Sequence, residues 1–132
     1  MILLVGPDEA LLEGLAQLLA GAGYVPSIAR SLDEAAEQAE REVPLALVID
    51  REWAIRDPAL LRIPLVSHGA VILYRANESS AASLPASLAR LVLADLALPL
   101  ERHRLLALVQ RLRDRARTTG RVPQQPPPEQ RA

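Results

Sequence analysis

The sequence has no cysteine, no lysine and no phenylalanine, and only three aromatic residues, Tyr24, Trp53 and Tyr74. Without cysteine there is no disulfide, no thiolate nucleophile and no Cys-based zinc or iron–sulfur site. Without phenylalanine the core must be built from Leu, Ala and Val, by aliphatic packing. No apolar run approaches the roughly 20 residues that a membrane helix needs, and no basic region precedes the N-terminal apolar run as it would in a signal peptide. A cytoplasmic protein with no membrane association is expected. What is present is 132 residues, 50% hydrophobic and 23% charged, which excludes a disordered or collagen-like chain and points to a single core.

All fifteen basic residues are arginine, and the charge is unevenly placed. Residues 1–50 carry nine acids and two arginines, a balance of −7, whereas residues 101–132 carry eight arginines and three acids, a balance of +5. Such asymmetry can mark a nucleic-acid-binding arm, but the basic end has neither interleaved aromatic residues nor a DNA-binding motif. Nucleic acid is therefore not the expected partner of this chain alone, and the arginines read as a solvated helix face balancing an acidic first half.

Residues 2–5, ILLV, form a short apolar run stopped by Gly6-Pro7. Asp8 then stands where a helix N-cap belongs, ahead of the periodic set Leu11, Leu12, Leu15, Leu18 and Leu19, so a buried strand is followed by an amphipathic helix. Gly21 and Gly23 supply stop signals, and residues 24–29 read as a second strand. Ser31 and Glu34 have capping-box spacing and open a helix that runs to about residue 42. After Pro44, residues 45–49 are continuously apolar and end on Asp50, the pattern of a parallel strand covered on both faces. Asp57-Pro58 is expected to open a helix of about two turns that stops before Pro64, residues 70–74 to form a fourth strand, and Asn77 to cap the next helix. A fifth strand falls within residues 91–98, and a periodic helix covers residues 100–117. Residues 118–132 hold four prolines and three glutamines with almost nothing apolar, so they read as an extended, disordered tail. Five strands alternating with helices in about 117 residues argue for a parallel sheet with helices on both faces.

The order strand, helix, strand, helix, strand ending in Asp50 resembles the receiver domain of bacterial response regulators, over residues 1–117. The segment ILLVGPDEALLEGLAQLLAGAGYVPSIARSLDEAAEQAE is similar to that family's first two strands and helices, and LALVID to the strand that delivers its phospho-accepting aspartate. Leu98-Pro99, followed by Leu100, falls where the family places Lys-Pro and an apolar residue. The fold the resemblance implies is α/β, a three-layer, flavodoxin-like arrangement with a five-stranded parallel sheet.

The resemblance also implies a chemistry that the residues only partly supply. An active receiver has an acidic pair after its first strand, an aspartate after the third, a Ser or Thr after the fourth and a Lys after the fifth. Its three carboxylates hold a magnesium ion through hard oxygen ligands. Here the acidic pair falls on Gly6 and Pro7, the hydroxyl position on Tyr74 or Arg75, and the lysine position on Leu98; only Asp50 matches. Asp50 can be a phospho-acceptor with Asp8 or Glu9 standing in for the missing pair, or a vestigial strand-end carboxylate hydrogen-bonded to N–H groups where helix N-termini gather. The second carries more weight, since Gly6-Pro7 offers no side-chain oxygen and Asp8 is accounted for as a cap. Ser67 and His68 lack a nucleophile-elbow context, His68 and His103 alone make a poor metal site, and no phosphate-binding glycine motif follows the first strand. Trp53 is expected to be partly buried.

The expectation is a pseudo-receiver, a signal-transduction module of the two-component type. It acts by binding another signalling protein or a second copy of itself, with no catalysis, cofactor or metal. The alternative is a stand-alone receiver phosphorylated on Asp50. In the final helix Leu105, Val109, Leu112 and Ala116 share one face at 100° per residue. Arg102, Leu106, Arg113 and Arg117 lie in an adjacent row, which the resemblance makes the candidate partner surface, while Arg104, Arg111 and Arg115 flank Leu108. Because the tail has no apolar side chain to bury apart from Val122, truncation after Gly120 is expected to leave the thermal unfolding midpoint unchanged in calorimetry, whereas a clear loss would mean that the tail docks.

Overall fold

The computed structural model describes residues 1–57, 63–76 and 84–121. Five parallel strands, β1 (Ile2–Val5), β2 (Pro26–Ala29), β3 (Ala46–Asp50), β4 (Ala70–Ala76) and β5 (Val92–Leu98), form one sheet in the order β2-β1-β3-β4-β5. Between and after them run α1 (Glu9–Gly21), α2 (Leu32–Arg41), α3 (Arg51–Arg56), α4 (Ala86–Ala89) and α5 (Arg102–Arg121). The three-layer α/β architecture implied by the sequence is the one observed.

Alternation along the strands divides the core in two. On one face Ile2, Leu4, Val48, Ile72, Tyr74, Leu96 and Leu98 pack against Leu12, Leu15 and Leu19 of α1 and Leu105, Val109 and Leu112 of α5. On the other, Leu3, Val5, Leu47, Ile49, Val71 and Leu73 meet Leu32, Ala35 and Ala39 of α2, Ala54 of α3 and Leu88 of α4. Both faces of β1 and of β3 up to Ile49 are covered, and these residues are apolar throughout.

Local signals set the helix ends. Asp8 accepts the Leu11 N–H at 3.1 Å at the start of α1. At its end Gly23, with φ of +95°, donates to the Ala20 carbonyl while Tyr24 donates to that of Leu19. This is a Schellman closure, in which a left-handed residue is cheapest as glycine. Ser31 accepts the Glu34 N–H at 3.0 Å, and the Glu34 carboxylate reaches back to the Arg30 N–H at 2.6 Å, one residue ahead of the cap.

Some bounds differ from those expected. A short helix that the sequence reading did not include, α3, starts at Arg51 directly after β3, because Asp50 caps it, and Asp57 is its C-terminal cap; the helix expected to open at Asp57-Pro58 falls on residues outside the described ones. Residues 58–62 and Asn77 lie outside the described residues. The second strand starts at Pro26 rather than Tyr24, since Tyr24 is still engaged in closing α1. The final helix, expected over residues 100–117, spans Arg102–Arg121; residues 122–132, most of the expected tail, lie outside the described residues. Among the described residues no helix is long and apolar enough to cross a membrane.

Candidate functional site

Parallel strands deliver their last residues to one edge of the sheet, which is where ligands gather in such folds. At that edge lie Gly6-Pro7 after β1, Asp50 at the end of β3, Tyr74 and Arg75 on β4, and Leu98 closing β5. Asp50 pairs in register with Tyr74, and Tyr74 with Leu96.

Asp50 is partly buried and serves as the N-cap of α3. Its Oδ1 accepts the N–H groups of Glu52 at 3.0 Å and Trp53 at 3.1 Å, so the carboxylate satisfies two free donors at the positive end of a helix. The structure thus gives Asp50 the hydrogen bonds to helix N–H groups that one of its two sequence readings required.

Tyr74 occupies the space beside it. A Cβ atom added to Gly6 would lie 1.9 Å from the Tyr74 hydroxyl oxygen, 3.0 Å from Cζ and 3.4 Å from Asp50 Cβ. Residue 6 therefore has no room for a side chain while the tyrosine is in place. The ring is 2% exposed, and its hydroxyl has no hydrogen-bond partner among the described residues. Burial, then the charges of Asp50 and Asp8, push the hydroxyl pKa well above the ordinary tyrosine range.

The next residue points the other way. Arg75 donates through Nη1 to Asp95 Oδ1 at 3.0 Å and to the Asp95 carbonyl at 3.3 Å, and Arg51 Nε lies 3.1 Å from Asp95 Oδ2. The Arg51 side chain is only 8% exposed. One carboxylate on β5 thus ties the ends of β3 and β4 together, a link that sequence reasoning missed. Its signal was present, in a lone acid within VLADLAL and a lone arginine within VILYRA. Leu98, at the lysine position, is fully buried between the sheet and α1 and α5.

A magnesium ion of the kind the resemblance implies does not fit these residues. Gly6 and Pro7 supply no side-chain oxygen, and the tyrosine hydroxyl stands where a side chain at position 6 would go. Ser67 and His68 precede β4 at the opposite edge of the sheet from Asp50, so the three do not converge. His103 is exposed on α5, and among the described residues no three His, Cys, Asp or Glu side chains are grouped to hold a metal. Trp53 is half-buried against the α2–α3 side of the core and lines a pocket of about 300 Å³ with Arg30, Leu32 and Arg56.

The row on α5 is mixed. Arg102 and Arg117 are exposed, and Arg102 reaches the Pro99 carbonyl at 3.3 Å. Leu106, expected to stand off the packed face, is half-buried against the core, because a helix lying on a sheet buries an arc of 100° or more rather than a single stripe. Ala116, expected within that stripe, is only half-buried. Arg113 lies over the Tyr24 ring at 4.5 Å, a cation–π contact that holds α5 to the turn after α1. Sequence reasoning did not single out Leu91, Leu93 and Leu100, which stand exposed along β5 and at its two ends.

Removing an unpartnered buried hydroxyl relieves a desolvation cost, so Tyr74→Phe is expected to raise stability by ~1 kcal/mol at neutral pH. In the unfolded chain the tyrosine ionises near pH ~10, whereas in the folded chain it stays protonated to higher pH. Its contribution is therefore unchanged below that pH and is lost as pH rises above it, at up to ~1.4 kcal/mol per unit. Urea unfolding at pH 9 and pH 11 should show the advantage of Tyr74→Phe widening at the higher value.

No protein-family model matches the chain, and no curated protein matches it by sequence. Solved structures do. A putative response regulator from Chloroflexus aurantiacus is 25% identical, with a TM-score of 0.63 and coverage of 84% of this chain and 94% of that one. A CheY-like response regulator receiver domain protein from Methanospirillum hungatei is 22% identical, with a TM-score of 0.66 and coverage of 89% and 96%. The beryllofluoride-activated NtrC4 receiver domain dimer is 19% identical, with a TM-score of 0.65 and coverage of 84% and 93%. With its strand order, its two-faced core and an aspartate closing the third strand, this chain has the CheY-like receiver fold of response regulators.

Proposed function

We propose that this chain is a pseudo-receiver: a signalling module that works by binding another protein or a second copy of itself and is not switched by conventional aspartyl phosphorylation. The observation that carries this reading is the pairing of Gly6 with Tyr74 beside Asp50. A strongly hydrated divalent cation needs several oxygen ligands in near-octahedral order. Here one carboxylate is already engaged as a helix cap, the neighbouring position has no side chain, and a tyrosine fills the gap. The lysine position adds no charge, because Leu98 is part of the core.

The competing reading, phosphorylation on Asp50 in a stand-alone receiver, makes the opposite forecast for the same titration. With magnesium and beryllofluoride added to the full chain, the fluorescence of its single tryptophan, three residues from Asp50, is expected to stay flat. Saturation with a dissociation constant below a millimolar would overturn the pseudo-receiver reading.

For the interaction surface we propose the corner formed by β5 and α5. Arg102 and Arg117 lie on its helix side, Leu106 is half-covered, and Leu91, Leu93 and Leu100 are exposed along the strand. Arginine around an apolar centre suits association, and the NtrC4 receiver domain to which this chain is similar forms a dimer. Leu100→Glu combined with Arg102→Glu, both exposed on this corner, is expected to weaken self-association or partner capture while leaving the circular dichroism spectrum intact. Unfolding of the double variant would assign these residues to the core, and unchanged association would move the interface elsewhere.

A further inference from the structure

The space beside Asp50 has an unusual composition for the interior of a sheet edge. Tyr74 is almost wholly buried there, yet its hydroxyl finds no partner among the described residues. Leaving such a group unpaired costs about as much as a good hydrogen bond returns, so solvation does not account for its position. Two carboxylates, Asp50 and Asp8, lie close enough to act electrostatically on that hydroxyl. A third at position 6 would start 3.4 Å from Asp50 Cβ, were it not for the tyrosine oxygen 1.9 Å from where its own Cβ must go. Three carboxylates converging on one point are a hard-cation site by composition; what stands in place of the third is a glycine and a phenol.

We propose that Tyr74 is a built-in plug, and that positions 6 and 74 form one steric unit which closes a latent divalent-cation pocket between Gly6, Asp8 and Asp50. The proposal rests on the pseudo-receiver reading and deepens it. Missing ligands are only half of the exclusion, because restoring a carboxylate at position 6 does not by itself open the pocket. Residue 6 follows β1 and residue 74 lies on β4, with β3 between those two strands in the sheet, so the coupling is a tertiary contact rather than a local preference. Removing the ring without adding an acid leaves only Asp50 and Asp8, both already used as helix caps, which is too few oxygens for magnesium. Only both changes together supply space and ligand.

The test uses the full chain and four proteins: the parent, Gly6→Asp, Tyr74→Val, and Gly6→Asp with Tyr74→Val. Valine removes the ring and puts a strand-favouring, β-branched apolar side chain in its place. Trp53, the single tryptophan, whose N–H donates to Asp50, reports binding as Mg²⁺ is titrated in. The double variant is expected to show a saturable fluorescence change in the millimolar range or below. The parent and Tyr74→Val are expected to show none, and Gly6→Asp to show none together with a lowered unfolding temperature. If Gly6→Asp alone binds Mg²⁺ as tightly as the double variant, the tyrosine is not a plug. If the double variant folds and does not bind, there is no latent pocket.

Should the double variant fail to fold, a thermal-unfolding cycle with Gly6→Ala decides. The alanine is expected to lower the unfolding temperature sharply in the parent and only slightly in the Tyr74→Val background, as residues in contact show coupled effects. Equal losses in both backgrounds would overturn the proposal. Magnesium binding by the parent would instead overturn the pseudo-receiver reading, so the two can fail separately.

Discussion

A parallel strand buried on both faces has no side left for polar chemistry, and β1 and β3 are such strands. Every residue from Ile2 to Val5 and from Ala46 to Ile49 is covered by a helix on one face or the other. Polar function is thereby pushed to the ends of the strands, where carbonyls run out and helix N-termini supply donors. Asp50 illustrates the result: the first residue past the apolar run is a carboxylate, and its nearest donors are the first free N–H groups of α3.

The same constraint explains why the edge holds both a plugged pocket and an ion-pair lock. Tyr74 and Arg75 are consecutive on β4, so pleating sends them to opposite faces. The tyrosine joins the α1–α5 side, where the missing side chain of Gly6 leaves it room. The arginine joins the other side, where Asp95 of β5 receives it together with Arg51. Asp95 is partly exposed and two guanidinium groups share it, so partner and acceptor stay matched where an unpaired charge would be costly. The carboxyl ends of β3, β4 and β5 are held by this one acid on one face and by the buried Tyr74, Leu96 and Leu98 on the other.

Where signals are local, the sequence was sufficient. Asp8 and Ser31 cap the helices they precede, Gly23 closes α1, and the apolar runs become strands, because capping geometry and side-chain period are decided within a few residues. The short helix directly after β3 was not legible for a related reason: a strand-end carboxylate that also caps the following helix, as Asp50 does, leaves no intervening loop to read.

The sequence by itself determined the alternation of strands and helices, with Gly6-Pro7 after the first strand, Asp50 closing the third and Leu98 closing the fifth. All are properties of residue type and spacing. Only the tertiary structure decided that Tyr74 fills the place opened by Gly6, that Asp95 gathers Arg51 and Arg75, that Arg113 settles over Tyr24, and that Leu106 is half-covered. In a strand apolar at nearly every position, period-two alternation does not reveal which set faces which helix, and these partners are 20 to 89 residues apart along the chain. Register between parallel strands and the depth at which α5 lies on the sheet fix those meetings, and both are set by packing across the whole core.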